Sequence, residues 1–438
     1  MMLSNFIPNA HKRAGMIGIL SILSCVMAWG QLTIEQCQEM ARENYPVIKQ
    51  YRLVEASRDL TLSNAAKGYL PQVQIAGTAT YQNSVTEMAA KPGQLIDPAE
   101  LGLSDLPKDQ YNATLTVNQL VYDGGAIRQA RGVARAEAQV QTEQLNVQLY
   151  NVRSRVEELY FGILLLDAQI RQTTLLQEDL RISHSSISGM MKGGLANMSD
   201  LDAINVEMIK AQQHESSLRN ICQTYLNMLS QFIGQKVSDV TTLVCPPADN
   251  SVGIFLADMS QRPEMTLYNA QEQLIGRRIK SLNAGLQPKV GLFVQGGYGK
   301  PGLNLFKREF NFYYRGGVQL SWDFGNFYTY KNSKRLLKNE LNSIDVNRDT
   351  FLFNTTLQHE SQTGNVTNLR SQIAQDEQIV EIRERICKKS RTRVENGMET
   401  VNEMLREINA LNEAKETKAY HEIQLVQEIY KLKNIHNN

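Results

Sequence analysis

The sequence lacks a surplus of charge. Its 438 residues carry 46 Lys and Arg against 45 Asp and Glu. That balance gives no electrostatic case for binding DNA or RNA, which needs a concentrated basic surface. It also lacks the short motifs of enzymes: there is no H-E-x-x-H, no P-loop and no G-x-S-x-G. The six histidines, at 11, 184, 214, 359, 421 and 436, are well separated. His421-Glu422 continues as Ile423-Gln424, so a zinc motif fails there. No enzyme, metal site or cofactor is expected. The five cysteines show no C-x-x-C spacing, and Cys37, Cys222, Cys245 and Cys387 read as small buried hydrophobes.

Proline is missing from two long stretches, 108–245 and 302–438. Proline breaks helices by removing a backbone donor and clashing with the preceding turn. Two proline-free stretches of similar length predict very long helices and a chain built twice. Beyond residue 30 there is no apolar run long enough for a membrane-crossing helix. The longest, Leu159–Leu166, is eight residues and includes Gly162. An exported chain of this kind is either soluble or crosses a membrane as β-strands.

Export is read from residues 1–30. His11, Lys12 and Arg13 precede an apolar run to Met27, and Ala28-Trp29-Gly30 offers small residues for cleavage before Gln31. The run is short for a transmembrane anchor. Lipidation at Cys25 is an alternative, although apolar residues continue past it. The mature chain has a formal charge of −1.

The duplication is visible in the landmarks. Pro46 and Pro71 are spaced like Pro263 and Pro288, and Leu120-Val121-Tyr122-Asp123-Gly124-Gly125 resembles Leu320-Ser321-Trp322-Asp323-Phe324-Gly325. The first copy carries extra residues over 83–110. The expected division is a first repeat over 31–234, a linker over 235–262 and a second repeat over 263–438. Each repeat is expected to hold a helix of about 35 residues, two strands, and a long helix that turns and comes back. In the first repeat the opening helix spans 33–69, capped by Thr33.

Val73, Ile75, Gly77, Ala79 and Tyr81 alternate with polar residues, as do Tyr111, Ala113, Leu115 and Val117. Val290 to Tyr298 and Tyr314 to Trp322 repeat the pattern. Period-2 alternation with one polar face fits hairpins lying on a soluble core, or outer-membrane strands. On the second reading Tyr81, Tyr111, Tyr298 and Tyr314 form one aromatic rim, with Tyr122 and Trp322 at the other. Tyr122 has the wrong parity for its face, which predicts a β-bulge at Asn118-Gln119. Four strands cannot close a barrel, so several chains would share one.

Leu149, Val152, Val156, Leu159, Ile163, Leu166 and Ile170 fall at spacings of three and four, a coiled-coil seam in a helix over 126–190 about 95 Å long. The chain turns at Gly193-Gly194 and returns over 198–234. It does so again after 326–395, at Asn396-Gly397. Asn197 with Asp200, and Thr400 with Glu403, occupy capping-box positions. The helices 33–69 and 198–234 together match the long helix and are expected to stack end to end beside it.

Several of these stretches, Leu32-Thr33-Ile34, Asn44-Tyr45-Pro46, Ala65 through Pro71 and Val121-Tyr122-Asp123-Gly124-Gly125, resemble the TolC-like outer-membrane efflux and secretion channels. The second half departs from that pattern at Gln287-Pro288 and Asp323-Phe324-Gly325. The resemblance covers 32–434. It implies a mainly α fold with a small β part. Long coiled-coil hairpins would join a periplasmic α-barrel, and four strands per chain would enter a shared 12-stranded outer-membrane β-barrel. It further implies a homotrimer in outer-membrane lipid that acts as a passive duct without a cofactor. Gly194, Leu195, Gly397 and Met398 would be the tips that meet a periplasmic adaptor bound to an inner-membrane transporter. Lys389 and Arg393, or else Asp200, would line the aperture. Otherwise the tip cations would pair with carboxylates such as Asp200 or Asp202. The competing reading is a soluble periplasmic coiled-coil adaptor or rod.

Overall fold

A computed structural model of the chain describes residues 31–85, 106–248, 259–304 and 309–436. The export segment, with Cys25, and residues 86–105 of the first-copy insertion lie outside these.

Helix α1 (Ile34–Asn44) opens with the expected capping box. The Thr33 hydroxyl accepts the Gln36 amide, and the Gln36 side chain returns to the Thr33 amide. The helix does not continue to residue 69. Tyr45 is extended, at φ −64° and ψ 129°, because the residue before a proline is driven out of the helical region. A 3₁₀ turn, Pro46–Ile48, then leads into α2 (Lys49–Ala66). The second half has no counterpart of α1 among the described residues. Its first helix, α5 (Pro263–Ala284), has 22 residues rather than about 35, since Arg262 is held extended before Pro263.

The four strands are β1 (Gln72–Tyr81), β2 (Asp109–Tyr122), β3 (Lys289–Lys300) and β4 (Asn311–Ser321). They form one antiparallel sheet in the order β1-β2-β3-β4. The two hairpins, distant in sequence, are joined by the β2–β3 ladder, and β1 and β4 are left as edges. The bulge falls at Val121, between the pairs Leu120–Gly291 and Tyr122–Val290. It is later than the side-chain pattern indicated. Gln119 keeps its place in the ladder opposite Leu292, although polar, by donating to the Tyr69 and Leu120 carbonyls. Only the extra residue at Val121 then restores Tyr122 to the apolar face.

Helices α3 (Ala126–Lys192) and α6 (Gly325–Glu395) have 67 and 71 residues, or about 100 Å each. They are paired by α4 (Met198–Ile233) and α7 (Val401–Ile435). The predicted seam residues, Leu149 through Ile170, are all buried. End-to-end stacking is seen where α4 stops at the α1–α2 break. Asn44 Nδ2 donates to the Gln231 and Phe232 carbonyls, and Tyr45 stacks on Phe232. Gly234, at φ +71°, must be glycine there, because a Cβ would lie 2.8 Å from the Asn44 side chain.

The segment after α4 crosses α3 at mid-height. Leu32 pairs with Leu243, and the buried Tyr160 ties both segments. Its hydroxyl lies 2.8 Å from the Leu32 carbonyl and 2.6 Å from that of Val244, and accepts the Val244 amide at 3.0 Å.

Candidate functional site

The sheet has one apolar and one polar face. Successive apolar rows across the strands read Gly77–Ala113–Tyr298–Phe312, Ile75–Leu115–Gly296–Tyr314 and Val73–Val117–Val294–Gly316. These side chains face away from the rest of the chain, and Ile75 is 81% exposed. A soluble surface rarely carries a continuous apolar patch of this kind. The opposite face is internally hydrogen-bonded. Arg315 Nε donates to Gln295 Oε1 at 2.6 Å, and Gln295 Nε2 to Thr116 Oγ1 at 2.9 Å. Tyr313 crosses Gly297, where any Cβ would collide with the ring, to donate to Asn112 at 2.9 Å.

Of the predicted rim, Tyr81, Tyr111, Tyr298 and Tyr314 fall on a diagonal, each one same-face row further from the strand ends than the last. A diagonal of this kind becomes level only if the strands tilt, as they do in barrels. Phe310 and Phe312, which the alternation did not single out, join this band. Phe310 stacks on Tyr298 at 5.5 Å and tilts against Tyr111 at 6.3 Å. At the helix end of the sheet Trp322 donates its indole N–H to the Leu286 carbonyl at 3.0 Å.

The two tips are built alike. At the first, Gly194 takes φ +76°, its amide donates to Met191, and the Leu195 amide donates to Met190. At the second, Gly397 takes φ +70°, with Gly397 bonded to Val394 and Met398 to Arg393. Both are Schellman turns with glycine in the left-handed position. Leu195 is 71% exposed and Met398 78%. The hydrophobic contact that usually accompanies such turns is therefore largely unmade.

Near the second tip Lys389 and Arg393 are exposed, one helical turn apart. Asp200 is committed to capping: its Oδ2 accepts the Asn197 amide at 3.0 Å. The neighbouring cation Arg391 pairs with Asp179 of α3 at 3.0 Å. The expected partners, Asp200 and Asp202, make no such pair, because Asp179 is the carboxylate that α3 brings level with Arg391.

A buried polar knot where α3, α5, α6 and α7 meet is absent from the sequence reading. Glu157, 1% exposed, accepts a hydrogen bond from Asn434 Nδ2, while its Oε1 has no partner among the described residues. Burial pushes its carboxyl pKa up to about 8. Lys431 and Arg153 pull against the shift, while Glu158 and Glu428 add to it. The Asn434 carbonyl accepts from Tyr150 and from Arg262. Arg262 is held bidentately by Glu264, with its guanidinium over the rings of Tyr150 and Phe351. The signal available in the sequence was a carboxylate directly beside seam residue Val156.

Among the described residues there is no cluster of ligands suited to a metal ion, and no helix is long and apolar enough to cross a membrane.

The fold is shared with solved outer-membrane channels. The outer-membrane channel OprN superposes with a TM-score of 0.68 at 13% identity, over 92% of this chain and 89% of that one. VceC of Vibrio cholerae gives 0.66 at 13%, over 92% and 96%. CmeC of Campylobacter jejuni gives 0.65 at 13%, over 99% and 93%. Residues 38–235 match the family model described as outer membrane efflux protein. No curated protein matches the chain.

Proposed function

We propose that this chain is one third of a passive outer-membrane duct in a tripartite efflux or secretion assembly. The observation that carries the reading is the sheet. Its exposed apolar face, its hydrogen-bonded polar face and its two unpaired edges sit on top of two hairpins about 100 Å long. The strands have 10 to 14 residues, and a tilted strand needs about 9–11 to cross a bilayer. A sheet edge inside a membrane is untenable, because its backbone groups would have no partner. Each β4 must therefore pair with the β1 of another copy, and three copies give twelve strands.

On this reading residues 31–234 and 263–438 are two repeats joined by a linker, and residues 1–30 direct export. The apolar face meets outer-membrane lipid with the tyrosine diagonal at one boundary. The helices enclose a periplasmic tunnel, and the exposed Leu195 and Met398 meet a periplasmic adaptor joined to an inner-membrane transporter. Nothing in the duct needs a catalytic group, since the transporter supplies the work. Lys389 and Arg393 face the aperture. The fold supports this reading over a soluble rod, because a rod has no use for the exposed apolar sheet.

The test is the mass of the full mature chain extracted from membranes. A trimer that needs detergent is expected. A monomer or dimer, or a protein released by salt or alkali alone, refutes the shared barrel.

A further inference from the structure

The upper ends of α3 and α5 enclose a groove of about 670 Å³, lined by Arg128, Arg135, Arg277 and Lys280. None of the four has an ion-pair partner among the described residues. The adjacent Arg278, outside the groove, is paired with Glu137 at 3.1 Å and with Glu340 at 3.8 Å. The one acid in the lining, Glu143, lies fifteen residues below Arg128, about 22 Å along the helix. It is already bonded to Asn146, Thr266 and Gln139. Gly132 of α3, costing about 1 kcal/mol against alanine in a helix interior, lies beside the Arg277 stem. Four like charges held together without a counter-charge repel one another, and an anion seated among them removes that cost.

Position narrows the anion. Arg128 is the third residue of α3, which starts just after β2 ends, and Lys280 lies four residues before the end of α5. The lowest of the α3 pair, Arg135, is about 14 Å below the helix start. The headgroup layer is roughly 5–8 Å deep, and arginine side chains reach upward from below it. The helices touch in the order α2-α3-α5-α6, matching the strand order. A second copy therefore reaches α2 and α6 and not this groove. Directly below, Gln261 at the end of the linker and Pro263 at the start of α5 line the same face of α3, sharing Glu143 and Thr266 with the groove. A linker crossing inside would block the tunnel, so this face is the outer one.

Resting on the duct reading above, we propose that this groove binds the phosphate-bearing headgroup of an anionic membrane phospholipid. The test is native mass spectrometry of the detergent-purified full chain with phosphatidylglycerol and phosphatidylcholine of matched acyl chains. Phosphatidylglycerol should be retained preferentially. Arg277→Gln and Lys280→Gln should each weaken its retention about fivefold, from roughly 1 kcal/mol per cation near a charged surface. Arg278→Gln should leave it unchanged. Inorganic phosphate at the lipid concentration should not compete; displacement by it overturns a lipid site. Equal retention of the two lipids, or undiminished retention in both groove variants, also overturns the proposal while leaving a detergent-requiring trimer. A chain that needs no detergent and retains neither lipid refutes the duct reading, and the groove site with it.

Discussion

Glu157→Gln should stabilise this protein, and by more as the pH rises. The Glu157 carboxyl is buried between α3 and α7, and its pKa is pushed up to about 8 from an ordinary 4.5, chiefly by desolvation. The folded chain therefore holds a proton that the unfolded chain has released across that window. The folded pKa is the higher one, so stability is full below about 4.5 and is lost as the pH climbs towards 8. The slope is about 1.4 kcal/mol per pH unit, or about 3 kcal/mol lost by pH 7. Glutamine keeps the shape and an oxygen for Asn434 Nδ2 without the ionisation. It should recover most of that energy at pH 7 and little at pH 5. With an unfolding entropy of about 2.1 cal/mol/K per residue, each kcal/mol is worth about 1 °C in a chain of this length. Thermal unfolding in detergent should therefore show Glu157→Gln melting about 3 °C higher at pH 7 and level with the parent at pH 5. Parallel melting curves at both values, or a destabilised variant at pH 7, would refute the argument from desolvation.

Other substitutions probe other parts of the molecule. Leu195→Asp and Met398→Asp place charges on exposed tip residues. Trimer mass and melting should be unchanged and efflux abolished; unaltered drug resistance in a strain relying on this channel would count against adaptor contact. Changing Lys389 and Arg393 to Gln should erase an anion preference in planar-bilayer conductance, and cation preference in the parent would refute a basic aperture. Tyr160→Phe removes the hydroxyl that ties Leu32 and Val244 to α3. The Val244 amide keeps its bond to the Leu32 carbonyl, but the Val244 carbonyl loses its donor, and a loss of about 1–3 kcal/mol is expected, read as faster proteolysis within residues 235–248.

Much of the molecule was legible because its signals are local. A Schellman turn needs a left-handed residue, so Gly194 and Gly397 mark both tips, and Asn197 and Thr400 mark the helices that follow. Seam spacing named the buried face of α3, and period-2 alternation named the apolar face of all four strands. Proline acts in both directions. Its absence marks α3 and α6, but its presence at Pro46 breaks the helix expected over 33–69. The extended Tyr45 that results is what lets the end of α4 dock against α1.

What local pattern could not determine is which distant residues meet. The joining of β2 to β3 is set by backbone pairing between strands some 170 residues apart, and so are the position of the bulge and the stagger of the tyrosines. Arg391 finds Asp179 rather than a tip carboxylate because two helices about 100 Å long lie in one particular register, and a shift of one turn would change every partner. Glu157 looked like an ordinary helix-face acid, since its burial depends on where α7 ends. The four unpaired cations of the α3–α5 groove are ordinary surface residues in the sequence. Coulomb energy depends on distance, and only the packing of one helix against the other brings those charges to one place.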